Sequence, residues 1–310
     1  MKKKLFFVFN PKAGKAQIKN RLLDVVDIFT KCGYDVIAHP TQGMQDAYEQ
    51  SKAMASKVDL VVCCGGDGTL NEVVSGLMEA KKRPALGYIP AGSTNDFARS
   101  LAIPRNFAKA TAAIVEGKAY PCDMGDLNGG TFAYIAAFGA FTDVAYQTDQ
   151  KWKNALGHMA YLLEGARRIF NIKSYLLTIE ANGNIYKGDY IFGMITNSKS
   201  VGGFKNLTGK YVALDDGLFE VIFVRRPKNP LELNEIISSL ISAEDNTELI
   251  DSFKTAELNI NCKKEIPWTL DGEFGGNHKD VIIKNEKHAI KIMLNPKDKK
   301  DIIPMRSIEE

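Results

Sequence analysis

Apolar positions fall along this chain in two regimes. Up to about residue 120, Leu5 to Asn10, Tyr34 to Ala38, Val58 to Cys64 and Ala85 to Ile89 read as short strands, most of them uninterrupted apolar runs. Between them lie helical spacings. Ala16 to Cys32 sets Ile18, Leu22, Val25, Val26 and Phe29 on one face and stops at Gly33, and residues 44–56 and 70–80 form the next two helices. Strands apolar on both faces and separated by helices predict a parallel sheet covered on both sides, with ligands at the carboxyl ends of its strands.

Beyond residue 120 the pattern changes to strands with little helix between them. These are Phe132 to Gly139, Ser174 to Glu180, Ile185 to Thr196, Leu218 to Arg225 and Ala256 to Asn261, with Asn182-Gly183-Asn184 reading as a hairpin turn. Two helical stretches interrupt them, 153–170 and 230–242, and the charged tail from Lys297 is expected to fray. The expected fold class is therefore α/β: a parallel-sheet domain over 1–122, then a β-rich sandwich or barrel-like domain over 123–287.

Composition narrows this reading only slightly. With 45% hydrophobic and 25% charged residues the chain is ordinarily globular, and a net charge of +3 is too small to point to nucleic acid. The opening MKKKLFFVFN stops its apolar run at Asn10-Pro11, so it reads as a buried strand rather than a signal peptide. No run of apolar residues is long enough for a membrane-spanning helix. Cys32, Cys63, Cys64, Cys122 and Cys262 lack metal-ligand spacing and read as reduced cytosolic thiols.

Chemistry enters at the strand ends. After Val58 to Cys64 comes Gly65-Gly66-Asp67-Gly68-Thr69-Leu70-Asn71-Glu72, where glycines let the backbone turn and approach a ligand while free amides at a helix start favour phosphate. Asp67 would repel phosphate unless a cation lay between them, which predicts Mg²⁺ held with a nucleotide. A glycine-rich turn with a capping Asp is the plainer alternative. The next strand leads into Gly92-Ser93-Thr94-Asn95-Asp96-Phe97-Ala98-Arg99, and the first into Asn10-Pro11-Lys12-Ala13-Gly14-Lys15. Three such loops in register carry far more weight than one, and none is a Walker motif.

Together with Trp268-Thr269-Leu270-Asp271-Gly272-Glu273, these loops resemble the diacylglycerol kinase catalytic-domain family, particularly its soluble bacterial lipid kinases. The likeness runs from Leu5 to about residue 295. It implies a nucleotide domain similar to phosphofructokinase and NAD kinase plus a β-sandwich domain, with the last segment, 288–310, able to return to the first domain. It implies ATP as donor, with nucleotide contacts at Asn10, Pro11, Lys12, Ala13, Gly14, Thr41, Gly65, Gly66, Gly68, Thr69, Leu70, Asn71, Glu72 and Ser93. The Thr41-to-Asp46-Ala47 spacing matches the family, whereas Ser93 stands where the family usually has Thr and keeps the hydroxyl. Lys15, Asp96, Arg99 and Asp123 would line the cleft as a charged network, with Asp96 and Arg99 pairing on one helix face. A structural Mg²⁺ would sit on Asp216 with the carbonyls of Ala213 and Leu218.

Transfer to an alcohol needs a group to take the hydroxyl proton. His39, His158, His278 and His288 lie in no phosphate-like motif. Asp271 is the first choice for general base, with Glu273 its alternate or its partner in a network with Asp67. An Asp-Gly hairpin turn with solvated acids is the competing reading.

The resulting expectation is an ATP- and Mg²⁺-dependent kinase of a membrane lipid, diacylglycerol first. It would be cytoplasmic and peripherally bound at the inner face of the membrane, with a homodimer carried over from the resemblance. Lys151, Lys153, Arg167, Arg168 and Lys173 around Trp152, Tyr161 and Phe170 are the candidate docking face. Sphingoid base, ceramide and phosphatidylglycerol remain alternative acceptors. NAD kinase is the rival enzyme, opposed by the IPAGSTNDFAR segment, and a silent nucleotide-binding regulator is the rival from another class.

Overall fold

The computed structural model describes residues 2–139, 173–198, 200–201, 204–205, 212–242 and 247–295. The helix expected over 153–170, His158, the basic docking face apart from Lys173, and the tail from Lys297 lie outside them.

The first half alternates as its apolar runs require: β1 (Lys3–Phe9), α1 (Ile18–Lys31), β2 (Tyr34–Pro40), α2 (Asp46–Met54), β3 (Leu60–Gly65), α3 (Asp67–Met78) and β4 (Ala85–Pro90). Two short helices follow, α4 (Asp96–Ser100) and α5 (Phe107–Val115). Strands β4, β3, β1 and β2 lie side by side, all parallel. All six residues of β3 are buried, which explains why its sequence shows no alternation. One face of the sheet packs Phe6, Val8, Val61 and Cys63 under α2 and α3, and the other packs Leu5, Phe7, Val62 and Cys64 under α1 and α5.

The second half contains β5 (Lys118–Leu127), β6 (Gly130–Phe132), β7 (Ile135–Gly139), β8 (Tyr175–Ala181), β9 (Asn184–Thr196), β10 (Ser200–Val201), β11 (Phe204–Lys205), β12 (Phe219–Arg225), α6 (Pro230–Ser242), β13 (Ile250–Thr255), β14 (Glu257–Leu270) and β15 (Glu273–Leu294). Its ladders are antiparallel. β9 and β14 each pair with β8 along one part of their length and β7 along another, closing β9, β7, β14 and β8 into a ring. Trp268, Phe138, Phe223 and Tyr190 fill its interior.

Three expectations change in detail. The helix expected from Leu70 begins at Asp67, so the phosphate loop is shorter and Asp67 lies in the first helical turn. The strand expected over Phe132 to Gly139 breaks between β6 and β7, because backbone N–H groups there turn to a side chain rather than to a neighbouring strand. The strand expected over Ala256 to Asn261 runs on to Leu270.

β15 joins the halves. Its first part pairs with β14, whereas Ile292 pairs in parallel with Leu86 of β4 and Ile290 to Leu294 pair with β5. The ladder shifts between Glu286 and Ile290, where His288 has φ 56°.

Candidate active site

The carboxyl ends of β1, β3 and β4 bring the three glycine-bearing loops into backbone contact. A Cβ on Gly14, whose φ is +53°, would stand 2.2 Å from the Ala91 carbonyl oxygen, and one on Gly92 would stand 2.6 Å from Gly66 Cα. Both neighbours are backbone and cannot swing away, so the close approach demands glycine. Asn10 binds the bundle further, donating its N–H to Cys64 O at 2.9 Å and its Nδ2–H to Thr69 Oγ1 at 3.3 Å. Its own Oδ1 accepts the Lys12 N–H at 2.9 Å, while the Lys12 and Lys15 side chains stand exposed.

Gly66 caps α3 with no side-chain acceptor on the first amides, leaving the end of the helix free for an anion. Asp67 follows at once. Its carboxylate accepts the Asn95 N–H on Oδ2 at 2.9 Å and also the Asp96 N–H, and its buried Oδ1 has no hydrogen-bond partner among the described residues. Burial, with Asp96 and then Asp271 nearby, pushes its carboxyl up to about 6. An orphaned carboxylate oxygen among like charges beside free helix amides fits a cation, since the desolvation it suffers alone is offset when a cation binds.

Asn95 was not anticipated as an organiser. Buried and left-handed at φ 54°, it accepts the Gly92 N–H through Oδ1 at 2.9 Å and donates Nδ2–H to Gly92 O at 2.7 Å, while its own N–H holds Asp67. Tyr88 donates its hydroxyl to the same Oδ1 at 3.3 Å or to Gly65 O at 3.2 Å. Arg105 fastens the loop from outside through the Ser93 and Thr94 carbonyls, both at 2.9 Å, leaving the Ser93 side chain exposed.

The other wall is the tip of the β14–β15 hairpin. Leu270 pairs with Glu273 across Asp271 (φ 51°) and Gly272 (φ 89°), a two-residue turn whose positive φ angles Asp and Gly tolerate. The hairpin-turn reading was thus right about the backbone, but Asp271 is only 4% exposed. Its Oδ2 accepts from Ala133 N at 2.6 Å and Asn71 Nδ2 at 2.8 Å, and its Oδ1 from Tyr134 N and Ile135 N, both at 3.0 Å. All four lone-pair positions are filled. Burial raises its pKa, against the pull of those donors. A carboxylate so engaged has no lone pair to offer an incoming hydroxyl, which argues against Asp271 as first choice for the base. Glu273 has the freedom Asp271 lacks. It is exposed, and its Oε1 lies 3.3 Å from where a Cβ on Gly68 would be, directly over the first turn of α3.

The remaining candidates disperse. Thr41 follows β2 and donates its N–H to Phe9 O at 2.9 Å, beside Asn10. Both Glu72 oxygens are taken up at the start of α2, accepting from Gln45 N at 3.0 Å and Ala47 N at 3.2 Å. Asp96 is buried and feels Asp67, but Arg99 is exposed, and among the described residues no ion pair joins them. Asp123 serves a separate turn: its carboxylate accepts from Gly217 N at 2.6 Å and His288 N at 2.8 Å, and its own N–H goes to Leu214 O at 2.8 Å. That turn carries Ala213, Asp216 and Leu218. Asp216 Oδ1 accepts the Leu218 N–H at 2.9 Å, Lys287 Nζ sits 3.2 Å from the Asp216 carbonyl, and the described residues contain no cluster of three His, Cys, Asp or Glu side chains poised for a metal. Of the docking face only Lys173 is described, 5.1 Å above the Tyr175 ring. No helix among the described residues is long and apolar enough to cross a membrane.

Comparison with known proteins identifies the family. Residues 4–127 match the model of the diacylglycerol kinase catalytic domain. The chain is 34% identical over 300 residues to the diacylglycerol kinase of Bacillus subtilis strain 168, covering 96% of this chain and 98% of that protein. It is 35% identical over 291 residues to that of Staphylococcus aureus strain MRSA252, covering 93% and 91%. A crystal structure of a Bacillus anthracis strain Sterne protein assigned as a diacylglycerol kinase superimposes with a TM-score of 0.81 at 27% identity, covering 96% of both chains.

Proposed function

Because the chain belongs to the diacylglycerol kinase family, we propose that it transfers the γ-phosphoryl group of ATP to the free hydroxyl of diacylglycerol, with Glu273 as general base. Family membership makes it a lipid kinase, a phosphotransferase with an alcohol acceptor. The observation that carries the assignment is Glu273 itself, an exposed carboxylate with no hydrogen-bond or ion-pair partner among the described residues, brought over the phosphate-facing end of α3 by a strand from the other half of the molecule.

In this reading the α3 amides and the glycine loops hold the triphosphate, and Asn10, Thr41 and Ser93 line it. The acceptor oxygen attacks the γ-phosphorus, the bond to the β-phosphate oxygen breaks, the hydroxyl proton passes to Glu273, and ADP and phosphatidic acid leave. Asp67, through its orphaned Oδ1, would hold Mg²⁺, which when bound neutralises phosphate charge. Asp271 holds the hairpin tip and the Ala133–Ile135 turn in place, so that Glu273 meets the nucleotide at one distance.

The finer expectations keep the same footing. A nucleotide half over 1–122, joined by the end of β15 and akin to phosphofructokinase and NAD kinase, with an acceptor half over 123–287, is supported by the loops at the strand carboxyl ends. An acceptor that stays in the bilayer supports peripheral contact with the inner membrane face. The homodimer and the Mg²⁺ at Asp216 are carried by the resemblance.

Purified protein supplied with labelled ATP and Mg²⁺ is offered diacylglycerol, sphingosine, ceramide, phosphatidylglycerol and NAD⁺ in parallel. Labelled phosphatidic acid is the expected product. Label in NADP⁺ and in no lipid overturns the assignment, and label in another lipid alone moves the acceptor within the family.

A further inference from the structure

Glu72 belongs to the glycine-loop motif by sequence, yet its carboxylate works elsewhere. It projects from α3 to the start of α2, where Gln45 Nα–H meets Oε1 at 3.0 Å and Ala47 N–H meets Oε2 at 3.2 Å. α2 opens without a cap of its own, since Gln45 stands at the cap position in the left-handed region at φ 65° and contributes no side-chain acceptor. Glu72 supplies the missing cap from a different helix, and its negative charge suits the positive end of α2.

The segment so gripped carries Thr41. Between Thr41 and α2 the chain is folded back by Asp46, whose Oδ2 accepts the Gln42 N–H at 2.7 Å and meets His39 Nε2 at 2.9 Å. At its other end the Thr41 N–H is fixed to Phe9 O, the residue before Asn10, and Asn10 reaches back to Thr69 on α3. Thr41, Asn10, α3 and the start of α2 therefore form a closed circuit of hydrogen bonds, and Glu72 closes it.

We propose that Glu72 is a positioning residue, which sets the distance between the Thr41 segment and the phosphate-facing end of α3 and so fixes the width of the nucleotide site without touching the nucleotide. The proposal rests on the kinase reading in taking ATP as the ligand and Thr41 as one of its contacts. A glutamine at 72 keeps one acceptor but turns an amide N–H toward a backbone N–H, so one side of the clamp opens.

Equilibrium binding of ATP with Mg²⁺ to the full chain tests this in a double-mutant cycle of Glu72→Gln with Thr41→Val. Each single variant is expected to weaken ATP by about fivefold to tenfold, and the double variant by no more than the weaker single, because a displaced Thr41 has nothing left to lose. Turnover at saturating ATP is expected to stay within about twofold for Glu72→Gln, separating affinity from chemistry. Multiplicative losses in the double variant would mean that Glu72 meets the nucleotide independently, and unchanged affinity in Glu72→Gln would mean that the clamp does not shape the site; either result overturns the proposal. Should the glutamine variant melt below the assay temperature, Glu72→Asp, whose shorter side chain cannot span both amides, enters the same cycle. Binding is read without a lipid acceptor, so a protein that binds ATP but labels no lipid defeats the diacylglycerol assignment and leaves this one standing.

Discussion

Replacing Asp271 by Asn and Glu273 by Gln should separate two carboxylates that the sequence sets two residues apart. In Asp271→Asn the retained oxygen still accepts from Tyr134 and Ile135, but the new NH₂ faces the Ala133 N–H and the Asn71 amide. Asn71 cannot turn its amide over without surrendering its bond to Thr131 O at 3.1 Å. Two charge-assisted bonds are lost and their donors stay buried. Each such loss costs about 1.5–3 kcal/mol, and because the two share a partner the sum is set at roughly 3 kcal/mol. For a chain of this size that lowers the melting temperature by roughly 5 °C. Glu273→Gln exchanges an exposed side chain and should leave stability within about 0.5 kcal/mol while turnover falls by about 10² or more. Thermal melts read beside kcat at saturating ATP and diacylglycerol check both variants. An Asp271→Asn protein that melts like the parent yet loses turnover about 10²-fold, beside a fully active Glu273→Gln, would return the base role to Asp271.

Three further outcomes follow from the loops. Asp67 has a pKa raised to about 6 by burial and by Asp96 and Asp271, so the folded state binds its proton more tightly than the unfolded chain does. Its contribution to stability is fully present below about pH 4 and is lost as pH rises to about 6. Asp67→Asn should remove that slope in urea titrations of the ligand-free protein, raising stability at pH 7 by about 1–3 kcal/mol while abolishing turnover; a slope that persists in the variant would assign it to another group. Chelating Mg²⁺ should weaken ATP binding by at least about tenfold in the parent and much less in Asp67→Asn, by calorimetry, and an equal effect in both would place the cation elsewhere. Gly92→Ala forces its Cβ against Gly66 Cα and should part the two loops, weakening ATP by at least about tenfold with the aromatic core around Trp268 intact by near-ultraviolet circular dichroism.

What was legible in the sequence tracks how local each signal is. β3 announced itself because every side chain is buried, and the glycines because backbone contacts at Gly14 and Gly92 exclude any larger residue. The DGE segment was visible as a motif, but the division of labour inside it was not. Which of two carboxylates is saturated depends on Ala133, Tyr134, Ile135 and Asn71, residues 136 to 200 positions away. Asn95 escaped for a similar reason: its importance lies in a left-handed backbone and a bond to Asp67, neither of which has a signature in the letters. The resemblance put Asp123 in the cleft, but its carboxylate and its own N–H anchor the Leu214–Gly217 turn. Arg99 sat at the right interval from Asp96, but helical spacing fixes only direction around an axis, and the axis of α4 leaves one buried and the other in water.

The strand that opens at Glu273 also fills the place beside β4, with its residue Ile292 opposite Leu86. On the ribosome this position stays vacant until residue 292 has emerged, so the parallel-sheet portion cannot complete itself during synthesis as an early, self-sufficient unit. A fragment ending at residue 127 would bare the margin of β4 to foreign strands, and it should precipitate or bind a holdase chaperone rather than melt cooperatively; a sharp, reversible melt from that fragment would show that the missing strand is dispensable.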